Sequence, residues 1–213
     1  MMLMFIQQHA LTLSVALPFA GLLALVLIPS ERRTVIKAVA AVVGGLSILL
    51  SLYIFLAYDH TLGGFQFQET YPWISSLGVQ WHVGVDGISV LMVLLTGVVT
   101  FTGFLISWNI NKRTKDFFIL LLTLVTGVYG VFVSLDLFLL FFFYEVAVLP
   151  MYLLIGVWGS TTDFKTFLRT KEYGAMKLTL VLVAGSVLVW IGLIAIYAQA
   201  NIGSFDLLAL AKT

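Results

Sequence analysis

The sequence predicts an all-α polytopic membrane protein of about six transmembrane helices, with a short β-hairpin between the second and the third. Three observations predict it. First, 61% of the residues are hydrophobic and only 10% are charged, with mean hydropathy +1.10. Soluble domains carry about a quarter charged residues. So few charges cannot clothe a water-facing surface, so most of this surface faces lipid. Second, six stretches reach the roughly 20 apolar residues that cross a hydrocarbon core about 30 Å thick. Third, ten of the eleven lysines and arginines fall on one side of those stretches.

The spans are read near residues 10–29, 35–57, 86–108, 116–135, 137–158 and 174–198, within a single membrane domain, 1–213. The first lacks a basic leader and is too long for a signal peptide, so it is read as a retained helix. Pro18 within it marks a kink. Arg32, Arg33 and Lys37 lie between spans 1 and 2, and Lys112, Arg113 and Lys115 between spans 3 and 4. Lys165, Arg169, Lys171 and Lys177 lie between spans 5 and 6 or in the first turn of span 6. The opposite loops hold only Lys212. Basic loops stay on the inner side, so the N-terminus is expected outside.

The outer loop, 58–85, is different. It carries Asp59 and Glu69 but no lysine or arginine. Phe65–Gln68 alternates apolar with polar residues, and Val79–Val83 does so approximately, with Pro72 and Ser75–Gly78 between them. That pattern reads as a short hairpin. Its aromatics, Phe65, Phe67, Tyr71, Trp73 and Trp81, suit a membrane–water boundary.

Several chemistries are excluded. A net charge of +1 offers no footprint for nucleic acid, and the absence of cysteine removes disulfides, thiolate metal sites and iron–sulfur ligation. No glycine-rich phosphate loop follows a strand. His9, His60 and His82 are scattered, without haem or metal spacing. No cofactor or metal is expected on this chain, so any redox chemistry belongs to partners.

One residue stands out as a candidate catalytic group. Glu145 lies in LDLFLLFFFYEVAVLPMYLLIGVWG, residues 135–159. Eight residues from Leu137, at 1.5 Å each, put it about 12 Å into the membrane. An ionised carboxylate there is costly unless paired or hydrated, so a proton-transfer role is natural. The plainer alternative is a protonated glutamic acid bonding to a neighbouring helix. Pro150 frees a carbonyl near Val146, which serves either as an ordinary kink or as a water site. Asp136 and Asp86 sit where spans 5 and 3 begin, and both are read as structural caps. A proton port is the alternative for Asp136, and a weak relay role for His82 beside Asp86. Lys177 either snorkels to the inner surface or faces the bundle and couples electrostatically to Glu145. Thr123, Thr126, Tyr129, Ser134 and Tyr144 are candidates for bonds across helices or a wet path.

These residues resemble a known family. WHVGVDGISVLMVLLTGVVTFTGFLISW at 81–108 and LDLFLLFFFYEVAVLPMYLLIGVWGS at 135–160 are similar to helices 3 and 5 of the antiporter-like subunits of respiratory complex I. The pairing of W-x-x-GVDGIS with F-x-E-x-x-x-x-P-M-Y most resembles the type called subunit M, or subunit 4 in mitochondria. AMKLTLVLVAGSVLVWIG resembles helix 6 of that family. The matches cover roughly residues 79–193; the first two spans match only in hydropathy.

The resemblance implies a proton-translocating membrane-arm subunit of NADH:quinone oxidoreductase. Glu145 falls on the family's essential helix 5 glutamate, whose partner is a lysine on a later, broken helix. Flavin, iron–sulfur clusters and quinone are then expected on partner subunits, and the location is an energy-transducing membrane, the bacterial inner membrane ahead of the mitochondrial. Family members have about fourteen helices in two inverted repeats. This sequence would be their N-terminal part, without the lysine, and should not pump protons alone. Competing readings are the homologous subunit of a membrane-bound hydrogenase or of a multisubunit cation/proton antiporter, and a non-pumping scaffold.

Overall fold

The computed structural model describes residues 7–164 and 167–212. Six helices are long and apolar enough to cross a membrane: α1 (Ala10–Leu27), α2 (Arg33–Ala57), α3 (Ser89–Ile106, extended by a 3-10 turn to Asn109), α4 (Thr114–Val133), α5 (Leu137–Trp158) and α6 (Lys171–Ala200). Lipid accepts no hydrogen bonds, so each apolar run must close its backbone bonds within itself. Helix boundaries move by a few residues from the sequence reading. Span 3 starts at Ser89 rather than 86, because Asp86 and Gly87 form the turn before it. Span 4 ends at Val133, because Ser134–Asp136 is extended and pairs with other segments. Span 6 is longer than 174–198 at both ends. Neither Pro18 nor Pro150 ends its helix.

The hairpin joins β1 (Gln66–Ile74) to β2 (Val79–Val85), antiparallel. Strand β1 runs through Pro72, which the sequence reading placed in the connection. It is tolerated because a register shift falls between Pro72 and Ile74. A second shift, after Gln66, coincides with Phe67 at φ 55°. A smaller hairpin, β3 (Thr162–Phe164) with β4 (Phe167–Arg169), lies at the opposite, basic end. Lys165 is outside the described residues. A short helix, α7 (Leu207–Leu210), follows α6.

At the hairpin end a third set of pairings joins the elements. The extended Ser134–Asp136 segment pairs with β2 through Val83–Ser134 on one side, and with the segment after α6 through Asp136–Asp206 on the other. Leu135 N–H donates to His82 O at 2.8 Å, and Leu207 N–H to Leu135 O at 2.8 Å. Single β-bridges thus tie the hairpin, the α4–α5 junction and the tail together.

Two apolar clusters stack along the bundle. Near the hairpin, Tyr129, Leu139 and Phe143 pack with Val83, Val85 and Ile54. Near the basic end, Phe104, Phe117, Phe118 and Leu25 form the other. Helices α4 and α5 approach closely because small residues let them: a Cβ at Gly127 would meet the backbone of Ala147 and Phe143 at 2.8 Å, and one at Gly130 would meet the Phe143 ring at 2.1 Å.

Gly127→Val should therefore force α4 from α5 and destabilise the protein by about 1–3 kcal/mol, as overpacking does. Gly103→Ala, with nothing within 4 Å of the added Cβ, should stay within about 0.5 kcal/mol. Thermal unfolding of the two variants side by side checks this.

Candidate functional site

Helix α5 has two faces with different neighbours. Phe143 and Ala147 look toward Gly127 and Gly130 of α4. Phe138 and Phe141 look toward α6, where Trp190 meets them at 5.7 and 4.9 Å between ring centroids. Glu145 lies four residues beyond Phe141, about 40° round the helix. Its side chain therefore leaves α5 on the α6 face.

The depth of Glu145 follows from the same register. Phe141 stacks on Trp190, and deeper in the bundle Gly156 faces Ala175. Between these two contacts, antiparallel helices set Glu145 level with Gly185 and Ser186. Ser186 is among the few buried residues of α6, and its hydroxyl donates to Val183 O at 3.0 Å. With its proton used within its own helix, Ser186 has none to offer a carboxylate. Glu145 is half-buried, and its Oε1 is fully enclosed with no hydrogen-bond partner among the described residues. Leaving such a group unpaired costs roughly 1–3 kcal/mol, and more if charged.

The other candidates do not gather round it. Lys177 lies nine residues before Ser186, half a turn round α6, so it points away from α5; it is exposed. It is also displaced from Glu145 by about 13 Å along the helix axis. Among the described residues no ion pair joins the two. Pro150 is buried one turn beyond Glu145. Arg169 lies in β4, and Lys171 Nζ donates to Val157 O at 2.9 Å. Thr123 and Thr126 bond to carbonyls of their own helix, as Ser134 does. A second polar point occurs inside the bundle. Ser51 donates to Ser47 O at 2.9 Å, which leaves Tyr129 OH to donate to Ser51 Oγ at 2.8 Å. Ser47 Oγ beside it has no partner among the described residues.

At the hairpin end, Asp136 is wholly buried. Its Oδ1 accepts from the N–H groups of Phe138 and Leu139, capping α5, and its Oδ2 accepts from Gln80 N–H at 3.0 Å. Burial pushes its carboxyl above the usual aspartate range; the three N–H groups oppose the rise and the charge of Asp206 adds to it. Asp86 is held the other way. Its Oδ1 accepts from Ser89 N–H at 2.7 Å and Ile88 N–H at 3.1 Å, and its own N–H donates to Ser89 Oγ at 2.8 Å. These bonds, Ser89 N–H first, lower its pKa.

Two polar groupings escaped the sequence reading. Glu69, 5% exposed, accepts from Thr12 N–H and Thr12 Oγ1 and pairs with His9 at 3.3 Å, fastening β1 to the start of α1. His82 pairs not with Asp86 but with Asp206, whose Oδ1 also caps α7 through Ala209 N–H. Glu69 was legible only as loop acidity, and Asp206 only as a start signal for a short helix. Among the described residues, no three histidine, aspartate or glutamate side chains cluster so as to hold a metal.

Comparison with known proteins places these features. Residues 134–213, which include Asp136, Glu145 and Lys177, match the family described as NADH:quinone oxidoreductase/Mrp antiporter, TM. The chain is 36% identical over 204 residues to NAD(P)H-quinone oxidoreductase chain 4 3 of Picosynechococcus sp., covering 95% of this chain and 36% of that protein. It is 32% identical over 203 residues to NADH-quinone oxidoreductase subunit M of Rickettsia conorii, covering 92% and 39%. In structure it resembles a chain of respiratory complex I from Thermus thermophilus, with TM-score 0.78, 25% identity, and coverage of 95% of this chain and 39% of the other. The resemblance read from spans 3, 5 and 6 is thus shown. The chain spans little more than a third of the length of these relatives.

Lowered in the folded state, the Asp86 pKa gives stability above the unfolded value that is lost as pH falls through the folded one. Acidification below the ordinary value of 3.8 should therefore fray the first turn of α3, read as faster amide exchange at Ile88 and Ser89 after correction for intrinsic rates. Asp86→Ala should remove that pH dependence at a cost of about 1 kcal/mol. Asp136→Ala, which strips the acceptor from three N–H groups, should cost more, roughly 2–3 kcal/mol by thermal unfolding.

Proposed function

We propose that this chain, an antiporter-like membrane segment related to chain 4 and subunit M of quinone oxidoreductases, forms part of a proton-translocating membrane-arm subunit of an NADH:quinone oxidoreductase. One observation carries the reading: Glu145 holds an enclosed carboxylate oxygen at mid-span with no hydrogen-bond partner among the described residues, on a face of α5 where Ser186 supplies no proton. A carboxyl in that setting changes its proton affinity steeply when water or a cation arrives. In this reading Glu145 takes up and passes on the translocated proton.

Lys177 points away from α5, so a cation that pairs with Glu145 would be supplied elsewhere in the intact assembly. Lys177 then acts on Glu145 only through the field of the low-dielectric bundle. Asp136 caps the hairpin end of α5, the helix that carries Glu145. Flavin, iron–sulfur clusters and quinone belong to partner subunits, whose redox cycle drives the protonation of Glu145. The basic loops support an orientation with the N-terminus outside, and the setting we propose is an energy-transducing membrane, in the first instance a bacterial inner membrane.

A second reading is a subunit of a multisubunit cation/proton antiporter, favoured by a family description that covers both kinds of complex. Copurification of the chain with flavin and iron–sulfur proteins supports the first reading; copurification with other membrane subunits alone supports the second.

Glu145→Gln in the intact assembly should lower proton pumping and coupled quinone reductase activity by roughly tenfold or more, with the assembly retained. Full pumping by this variant would favour a scaffold role.

A further inference from the structure

At the basic end of the bundle, the α1–α2 turn and the start of α4 enclose an open cavity of about 300 Å³. Three cations line it, Arg33, Arg113 and Lys115, with two carboxylates, Glu31 and Asp116. The carboxylates are already engaged. Glu31 accepts from Ser30 Oγ at 3.0 Å, and Asp116 accepts from Arg113 Nε at 2.8 Å. Hydrogen bonds from its own N–H and from Ser30 hold the Glu31 carboxyl below the usual range, and so ionised. The cations are less fully used. Arg33 has no side-chain hydrogen bond or ion pair among the described residues. Arg113 directs only Nε at Asp116, leaving the two terminal nitrogens of its guanidinium. Lys115 reaches Val26 O at 2.9 Å and keeps two N–H donors.

The cavity therefore holds one net positive charge and several unused, strongly directional donors. That matches a phosphate diester carrying one negative charge. Arginine forks suit phosphate oxygens, and basic pockets between helices at the membrane surface take lipid headgroups. The apolar neighbour completes the match. Lys115 is hooked onto the carbonyl of Val26, and Val26 belongs to an exposed stripe on α1 with Phe19 and Leu23, each about half exposed. A headgroup in the cavity would lay an acyl chain along that stripe.

We infer that this cavity is a binding site for the phosphate headgroup of an acidic phospholipid, held by Arg33 and Arg113 with Lys115 at its rim. The site is independent of proton transfer at Glu145, so either can fail alone. The sequence has no cysteine, and Thr34 is exposed at the start of α2. Thr34→Cys therefore gives this chain a single thiol beside the cavity, which takes the fluorophore in an intact assembly whose solvent-exposed cysteines on other subunits are replaced and whose iron–sulfur ligands are kept. The assembly is reconstituted in phosphatidylcholine vesicles containing a small fraction of nitroxide-labelled phosphatidylglycerol or of equally labelled phosphatidylcholine.

The phosphatidylglycerol quencher should be preferred by about fivefold or more. Arg33→Gln with Arg113→Gln should abolish the preference, and Arg33→Gln alone should reduce it; the Arg33 side chain has no hydrogen-bond or ion-pair partner among the described residues, so the single change should leave the thermal unfolding of the assembly unaltered. Lys112→Gln, beside the cavity but not lining it, should leave the preference intact. Equal quenching by the two lipids would overturn the inference, and so would a loss of preference in Lys112→Gln as large as in the double variant. Displacement of the labelled lipid by millimolar inorganic phosphate would also overturn it, because the site would then take a free anion.

Discussion

Hydrocarbon offers no hydrogen bonds, and that constraint shapes this structure at every scale. It makes each spanning segment a helix, because only a helix satisfies its own backbone. At helix ends it requires substitute acceptors for the free N–H groups, which Asp136 supplies to α5 and Asp86 to α3. Inside the bundle it makes every unpaired polar atom expensive. Side chains such as Thr96, Thr126 and Ser134 accordingly return their protons to carbonyls of their own helices. Against that background two enclosed atoms without a hydrogen-bond partner among the described residues, Ser47 Oγ and Glu145 Oε1, are exceptions, and Glu145 is the one that bears an ionisable group.

The hairpin end shows how the exception is supported. Isolated β-bridges among the hairpin, the α4–α5 junction and the tail fix the ends of the helices on either side of Glu145. Aromatic rings continue that fixing downward, with Trp81 edge-on to Phe143 and Phe141 stacked on Trp190. Close packing at Gly127 and Gly130 holds the α4 side of α5. The α6 side is looser, and Glu145 faces that side. The proton-transfer role proposed for Glu145 calls for this combination of a rigid frame and one approachable face.

The division between what the sequence makes legible and what it hides follows from the range of each interaction. Spans are local: apolar length decides them, and the six helices lie where hydropathy puts them. The hairpin is nearly local, and it differs only where a register shift lets β1 pass through Pro72. Glu145 stands out because a lone acid in an apolar run is visible without any partner. What the sequence hides is pairing at a distance. His82 reads as a neighbour of Asp86, yet its partner is Asp206, on the far side of four helices. Glu69 reads as a loop acid, yet it is buried against the first turn of α1. Lys177 reads as a candidate for Glu145, but the register of α5 on α6 turns it to the opposite face. The β3–β4 hairpin carries no alternation strong enough to announce itself.

The proposed role requires Glu145 to exchange a proton as the assembly turns over. The most direct measurement is infrared difference spectroscopy of the intact assembly, triggered by quinone reduction, on the unaltered chain and on Glu145→Asp and Glu145→Gln. The account predicts a carboxylic acid C=O band that appears or vanishes on triggering, shifts in Glu145→Asp and is absent in Glu145→Gln. A difference spectrum unchanged by either substitution would mean that Glu145 keeps one protonation state throughout, and would contradict it.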